Sequence, residues 1–165
     1  MQNNLSSITP KAFLKTFSII HVALVIGVSL FGIVAYTLTE NQKFSLDYSG
    51  DAMFFVVPLI AIAGIVVVNF LYRNTIKGLA SKDTLMGKLI GIQTASIIKY
   101  ALLEGPALFG IVAFMNEGNQ YFLGISIFLI GWLIMQRPTR DKIERDLMLS
   151  GRLKSEFQQE DKPMT

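Results

Sequence analysis

The stretch TFSIIHVALVIGVSLFGIVAYTLT occupies residues 16–39 and contains no aspartate, glutamate, lysine or arginine. An α-helix rises about 1.5 Å per residue, so these 24 residues are long enough to cross the roughly 30 Å hydrocarbon core of a bilayer. The stretch is apolar on every face, whereas strands of membrane barrels alternate apolar and polar residues. It therefore predicts a helix that crosses a membrane.

Three further segments have the same character. Residues 52–72 and 118–136 are free of charge over 21 and 19 positions. Residues 89–115 are equally apolar but contain Lys99 and Glu104. This segment is counted as a span because the flanking loops would otherwise lie on the wrong sides of the membrane. The predicted spans are therefore about 16–39, 52–72, 89–115 and 118–136.

The composition agrees with a membrane protein. Of the 165 residues, 52% are hydrophobic and 16% are charged, against about 25% charged residues in soluble domains. There is no cysteine, which excludes disulfides, thiolate metal sites and cysteine nucleophiles. The pI of about 9.2 does not indicate nucleic-acid binding, because the basic residues flank apolar segments instead of forming a patch with aromatic residues. We therefore expect the lipid bilayer, and no nucleic acid, as a partner.

The basic residues also predict the orientation. Thirteen of the 15 lysines and arginines lie in the N-terminal segment, in the loop at 73–88 or after residue 136. The two loops expected on the other side hold only Lys43. Basic loops stay in the cytoplasm, so both termini are predicted to be cytoplasmic.

Together these patterns predict an all-α integral membrane four-helix bundle in residues 1–138, followed by a charged cytoplasmic tail in residues 139–165. The tail is predicted to form a short amphipathic helix at the membrane surface. A helix that docks on a partner is the alternative. Its apolar positions are Ile143, Leu147, Leu149, Leu153 and Phe157.

The third span contains the polar residues that stand out as a candidate site. Glu104 is two residues from the centre of residues 89–115, and ionisable groups at such depth usually face the bundle interior or water. Gln93, Tyr100 and Glu104 lie near one helical face, and Tyr100 could donate a hydrogen bond to Glu104. A carboxyl in this position either handles an ion or forms a structural hydrogen bond between helices. Both interpretations remain open at this point.

Three other residues complete the candidate set. Pro106 has no N–H for the Leu102 carbonyl, which predicts a bend and a free carbonyl beside Glu104, where a proton or small cation could bind. Lys99 is expected to reach towards the headgroups. His21 is the single histidine, so we interpret it as a hydrogen-bonded interior residue, with no metal site and no cofactor.

Two resemblances to known families follow from these segments. Residues 101–110, ALLEGPALFG, resemble the carboxylate helix of rotary ATPase proteolipid (c) subunits, in which the glutamate carries the translocated ion. The chain departs from that family because its second helix has one glycine, Gly64, its polar loop lacks Arg-Gln-Pro, and two further helices flank the hairpin. Residues 9–11, 104–107 and 137–143 together look like a family of uncharacterised small bacterial membrane proteins. That second resemblance implies a bacterial inner membrane and no particular activity.

The expected function is a non-enzymatic structural or accessory subunit of a membrane complex, in which the chain associates with itself or with other membrane subunits. The alternative is a small oligomeric proton or cation conduit that uses Glu104. No enzymatic activity is expected, since the sequence has no nucleophile–base pair, metal-ligand set or phosphate-binding loop.

Overall fold

The computed structural model describes residues 8–48, 50–79 and 81–164. Within these ranges, the β pairing consists of an isolated bridge between Lys43 and Asn119. The predicted all-α class is therefore confirmed for the described residues. The helices are α1 (Pro10–Leu38), α2 (Met53–Leu79), α3 (Leu85–Glu117), α4 (Gln120–Met135), α5 (Arg140–Asp146) and α6 (Gly151–Gln158).

The helices begin and end at residues suited to those positions. The Thr9 side chain accepts a hydrogen bond from the Ala12 N–H, and Pro10 follows it as the first helical residue. Thr139 caps α5 in the same way, through the Lys142 N–H. Gly118 ends α3 in the left-handed conformation at φ 64°, which glycine adopts without steric cost.

Three helices, α1, α2 and α3, are long and apolar enough to cross a membrane. Helix α4 has 16 residues and reaches such a length only when it is joined to α5 across a bend of 82°. The structure thus supports three candidate spans, or up to four. The four-span topology and its orientation remain predictions.

Helix α3 lies at the centre of the bundle, where it packs against α1, α2 and α4. Its contact with α2 is especially close at Gly64. A Cβ atom on Gly64 would lie 2.9 Å from Pro106 Cγ and 3.1 Å from the Leu102 carbonyl oxygen. Gly64 therefore packs directly against the carbonyl that Pro106 deprives of its helical partner. Helix α3 continues through Pro106 without a break.

Helices α2 and α3 extend together past the end of α4. The Tyr100 hydroxyl bonds the carbonyl of Gln136, just after α4 ends. Beyond the end of α4, the two helices are joined by a hydrogen bond that Lys88 Nζ donates to the Leu79 carbonyl at 2.8 Å. Residues 73–79 and 85–98 thus form a helical hairpin that extends past the end of α4.

The tail differs from the predicted single helix. It forms two short helices, α5 and α6, separated by a turn in which Met148 has φ 48° and Gly151 has φ 50°. Four of its five predicted apolar positions are buried inside the protein instead of lying on a membrane surface. These residues are Ile143, Leu147, Leu149 and Phe157.

The end of the tail packs against the start of α1. The Lys11 N–H donates to the Glu160 carbonyl at 3.2 Å, and the Met164 N–H donates to the Ile8 carbonyl at 3.1 Å. Arg140 connects α5 to the end of α6, because it donates to the Phe157 carbonyl at 2.8 Å and pairs with Glu160. The tail therefore closes the end of the bundle at which α1 begins.

Candidate functional site

A group of polar side chains meets where α5 packs across α2, α3 and the end of α4. Together with Phe17, Ile92, Pro138 and Ile143, these side chains line a partly open pocket of about 10 Å³, close to the space that one water requires. We call this group the polar cluster: Tyr72, Ser96, Lys99, Tyr100, Gln136, Lys142 and Asp146.

The carboxylate of Asp146 holds one side of the polar cluster. The Tyr72 hydroxyl donates to Asp146 Oδ2 at 2.7 Å, a charge-assisted hydrogen bond between α2 and α5. Lys99 Nζ lies 4.4 Å from the centre of the Tyr72 ring, within the range of a cation–π interaction. Lys99 is thus buried against an aromatic ring.

Gln136 holds the other side of the polar cluster. Its backbone carbonyl accepts from the Tyr100 hydroxyl at 3.1 Å, and its side-chain oxygen accepts from Lys142 Nζ at 3.2 Å. Burial lowers the pKa of Lys142, and the nearby Arg145 adds to this, whereas Asp146 opposes it. Both ends of α5 are therefore attached to the bundle through polar contacts.

His21 lies beside the cluster on α1. Its Nε2 is 3.0 Å from the Leu133 carbonyl, so Nε2 carries the proton and donates. The imidazole ring meets the Tyr100 ring edge-on, with 4.8 Å between ring centres. Its Nδ1 is buried and, within the described part of the chain, lacks a hydrogen-bond partner. The prediction that His21 is a hydrogen-bonded interior residue agrees with this geometry.

Glu104 lies outside the polar cluster. The single proton of the Tyr100 hydroxyl goes to Gln136, so the predicted hydrogen bond from Tyr100 to Glu104 is wrong. The Glu104 side chain is half-buried, and no ion pair or hydrogen bond of this side chain is found within the described residues. Around the axis of α3, Glu104 lies between two sides of the helix. Tyr100 and Ile111 mark the side that faces α1, whereas Ala101 and Gly105 mark an exposed side.

The structure thus divides the six candidate residues. Lys99, Tyr100 and His21 come together at the end of the bundle. Glu104 and Gln93 are both half-buried on α3, and Pro106 packs against Gly64 of α2. Lys99 is buried, 8% exposed, whereas the sequence suggested that it reaches out to the headgroups.

Sequence reasoning missed the partners that complete the cluster. Tyr72, Gln136, Lys142 and Asp146 were not among the candidate residues. Asp146 is 74 positions from Tyr72, so no local pattern connects them. The available signal was Arg137-Pro138, which ends α4 and allows the chain to turn back over the bundle.

Within residues 8–48, 50–79 and 81–164, no group of three histidine, aspartate or glutamate side chains could hold a metal ion. No protein-family model matches the chain, and no curated protein or solved structure shows significant similarity to it. The resemblances drawn from short segments therefore remain resemblances. The fold and the cluster define the class as an all-helical chain with three, or up to four, candidate membrane spans.

Proposed function

We propose that this chain is a multi-pass membrane protein that serves as a non-enzymatic accessory subunit and assembles with copies of itself through the outer face of α3. In this proposal the chain crosses a bacterial inner membrane four times, and both of its ends lie in the cytoplasm. The proposal is supported by the exposed apolar surface, the level at which the spans end and the environment of Glu104.

The first support is the apolar surface of α1 and α2. Large hydrophobic side chains are exposed along both helices, for example Ile33 at 60%, Leu59 at 66% and Val66 at 62%. Water-soluble monomers seldom expose continuous apolar patches of more than a few hundred Å². Lipid chains would cover such a surface at no cost, whereas water would not.

The second support is a common level at which two charge-free segments end. The segment in α2 ends at Tyr72, which contacts Lys99. The segment in α4 ends at Gln136, which contacts Tyr100. This favours a bilayer boundary near Lys99, with residues 85–98 outside the hydrocarbon. Residues 99–117 then span the membrane, a length similar to that of the other segments.

The observation that carries the proposal is Glu104. With the boundary near Lys99, Glu104 lies about 7.5 Å deeper along α3, and it lacks a polar partner in the described part of the chain. A carboxyl group that is half-exposed to lipid costs several kcal/mol unless it is protonated or paired. The neighbouring exposed residues Ala101 and Gly105 are small, so a second α3 can come close enough for Glu104 to hydrogen-bond across the interface.

The test compares two substitutions of Glu104 in detergent and in lipid nanodiscs. Glu104→Gln keeps the shape and the ability to hydrogen-bond, so self-association should persist. Glu104→Leu should weaken the association constant by about three- to thirty-fold, the effect of one interhelical hydrogen bond in a membrane. Glu117 provides the control, because it is exposed at the end of α3 and Glu117→Gln should change nothing.

Oligomer mass, measured by light scattering or mass photometry, gives the result, and a melting curve checks that each variant folds. Self-association that is unchanged in a folded Glu104→Leu variant would contradict assembly through Glu104. A wild-type protein that stays monomeric in nanodiscs at every concentration would contradict self-assembly altogether.

A second candidate function uses the same observation. In an oligomer, Glu104 carboxyls that face one another could carry protons or small cations, as the resemblance to proteolipid subunits implies. Proton flux into proteoliposomes distinguishes the two functions. The conduit requires flux that Glu104→Gln abolishes while the oligomer persists, whereas the structural subunit shows no flux in either protein.

A further inference from the structure

An apolar groove between α2 and α3 leads to the polar cluster. It has a volume of about 90 Å³, and Tyr72 and Lys99 line both the groove and the cluster. The remaining lining residues are almost all apolar: Val68, Leu71, Thr75, Ala95, Ile98 and Leu102. The hydroxyl of Thr75 is bonded to the Leu71 carbonyl of its own helix, so it does not make the groove polar.

Lys99 is the charged group at this junction. It is only 8% exposed, and in the described part of the chain no hydrogen bond or ion pair engages its ammonium group, which lies over the Tyr72 ring. The polar cluster also contains Lys142 and one carboxylate, that of Asp146. Two ammonium groups and one carboxylate leave an excess of positive charge, which favours an anion.

We propose that Lys99 binds the phosphate of an acidic phospholipid whose acyl chain begins in the groove between α2 and α3. The lipid belongs to the leaflet on the side of the two chain ends. The phosphate accepts a hydrogen bond from Lys99 Nζ, and the first methylenes of one chain contact Val68, Leu71 and Leu102. This inference rests on the membrane placement proposed above, but not on the role of Glu104.

Two features favour a lipid over a free anion. The pocket inside the cluster has a volume of about 10 Å³, the space of about one water, whereas the groove offers about 90 Å³ beside Lys99. The groove is therefore the wider approach to Lys99. The groove is apolar at the level where the proposed bilayer ends, and an acyl chain can fill it while a hydrated ion cannot. Basic pockets between membrane helices on the cytoplasmic side are a recurrent mode of binding acidic headgroups.

The experiment measures lipid retention by native mass spectrometry after delipidation in a mild detergent. Phosphatidylglycerol and phosphatidylcholine are added separately to the wild type, Lys99→Met and Lys77→Met. Lys77 is the matched control, because it is an exposed lysine in the last turns of α2, the end of that helix nearest to Lys99. We expect the wild type and Lys77→Met to prefer phosphatidylglycerol by about fivefold, the effect of one basic residue on an anionic lipid, because in phosphatidylcholine the choline cation offsets the phosphate charge. Lys99→Met should lose this preference.

Equal retention of the two lipids by the wild type would overturn the proposal, and this comparison holds even if Lys99→Met does not fold. A preference that survives in a folded Lys99→Met variant would overturn it as well. Displacement of phosphatidylglycerol by millimolar inorganic phosphate would indicate a free-anion site instead of a lipid site. Lys99→Met should leave self-association unchanged, so a failure here is separate from a failure of assembly through Glu104.

Discussion

At the scale of single residues, the main feature is the way in which buried polar groups satisfy one another. Asp146 accepts from Tyr72, and Gln136 accepts from both Tyr100 and Lys142. A buried polar atom without a partner costs about 1–3 kcal/mol, so each of these contacts favours the one arrangement in which α5 covers the bundle end. These contacts specify where the tail docks.

Lys142 provides a pH-dependent test of this arrangement. Its lowered pKa means that the folded protein releases the Lys142 proton at a lower pH than the unfolded chain does. Between that lowered pKa and 10.5, the ordinary value, the unfolded chain binds more protons. The stability contributed by this residue therefore rises with pH through the window and is lowest below it.

We accordingly expect the melting temperature of the wild type to rise with pH, as pH approaches 10.5, more steeply than that of Lys142→Met. The variant keeps the length of the side chain and removes the titrating group. Thermal unfolding in one detergent, recorded at several alkaline pH values, gives both slopes. Parallel slopes for the two proteins would show that Lys142 is not desolvated in the folded protein.

The residues of the cluster could be predicted only in part. Tyr100, Lys99 and His21 stand out in the sequence because they are polar within apolar segments. Their partners could not be identified, since His21 bonds a carbonyl 112 positions away and Tyr100 bonds one 36 positions away. Glu104 lies between the covered and the exposed sides of α3. Which sides are covered depends on how α1 and α2 pack against α3, and the sequence pattern does not show this.

At the scale of helices, α2 and α3 pack closely together at Gly64. The missing Cβ allows α2 to rest on the ring of Pro106 and on the Leu102 carbonyl, at distances where a side chain would not fit. The same glycine places the backbone of α2 against the Leu102 carbonyl, which Pro106 leaves without its helical N–H. The sequence indicated Pro106 as unusual but gave no reason to pair it with Gly64.

Gly64→Ala should therefore destabilise the protein by about 1–3 kcal/mol, the usual cost of overpacking a close contact. The matched substitution is Gly27→Ala in α1, where an added Cβ would meet nothing within 4 Å. That change should be neutral or stabilising, because alanine favours a helix by up to about 1 kcal/mol over glycine. Melting temperatures of the two variants in the same detergent decide the matter, and equal shifts would contradict the close contact.

The helices themselves were predictable to different degrees. Charged residues border the apolar segments of α1 and α2, so the positions of these two helices could be inferred from the pattern of charged and apolar residues alone. Helix α3 begins at Leu85, four positions before the predicted span, because its first turns pack against α2 and the tail. The tail pattern of alternating charged and apolar residues fits a membrane surface and a protein surface equally well, and only the tertiary contacts distinguish the two.

At the scale of the whole molecule, the two ends of the bundle differ. One end carries the start of α1, the hairpin of α2 and α3 that extends past α4, and the tail that closes over the polar cluster. The other end is held by a small set of contacts around Asn119, whose side chain bonds both backbone groups of Ser45. Thirteen basic residues lie towards the first end or its loop, which predicts that this end is cytoplasmic.

The central claim, a membrane bundle with both ends on the cytoplasmic side, can be tested directly because the chain has no cysteine. Single cysteines replace Asp47, in the loop between α1 and α2, and Ser155, in α6; both positions are exposed. A third variant, Val66→Cys, places a thiol on the exposed apolar face of α2, where lipid should protect it.

The measurement is labelling of intact spheroplasts with a membrane-impermeant maleimide, before and after permeabilisation. We predict that Asp47→Cys reacts in intact spheroplasts, that Ser155→Cys reacts only after permeabilisation and that Val66→Cys reacts in neither condition. Labelling of Ser155→Cys in intact spheroplasts, or equal labelling of Asp47→Cys and Ser155→Cys before permeabilisation, would contradict the proposed topology.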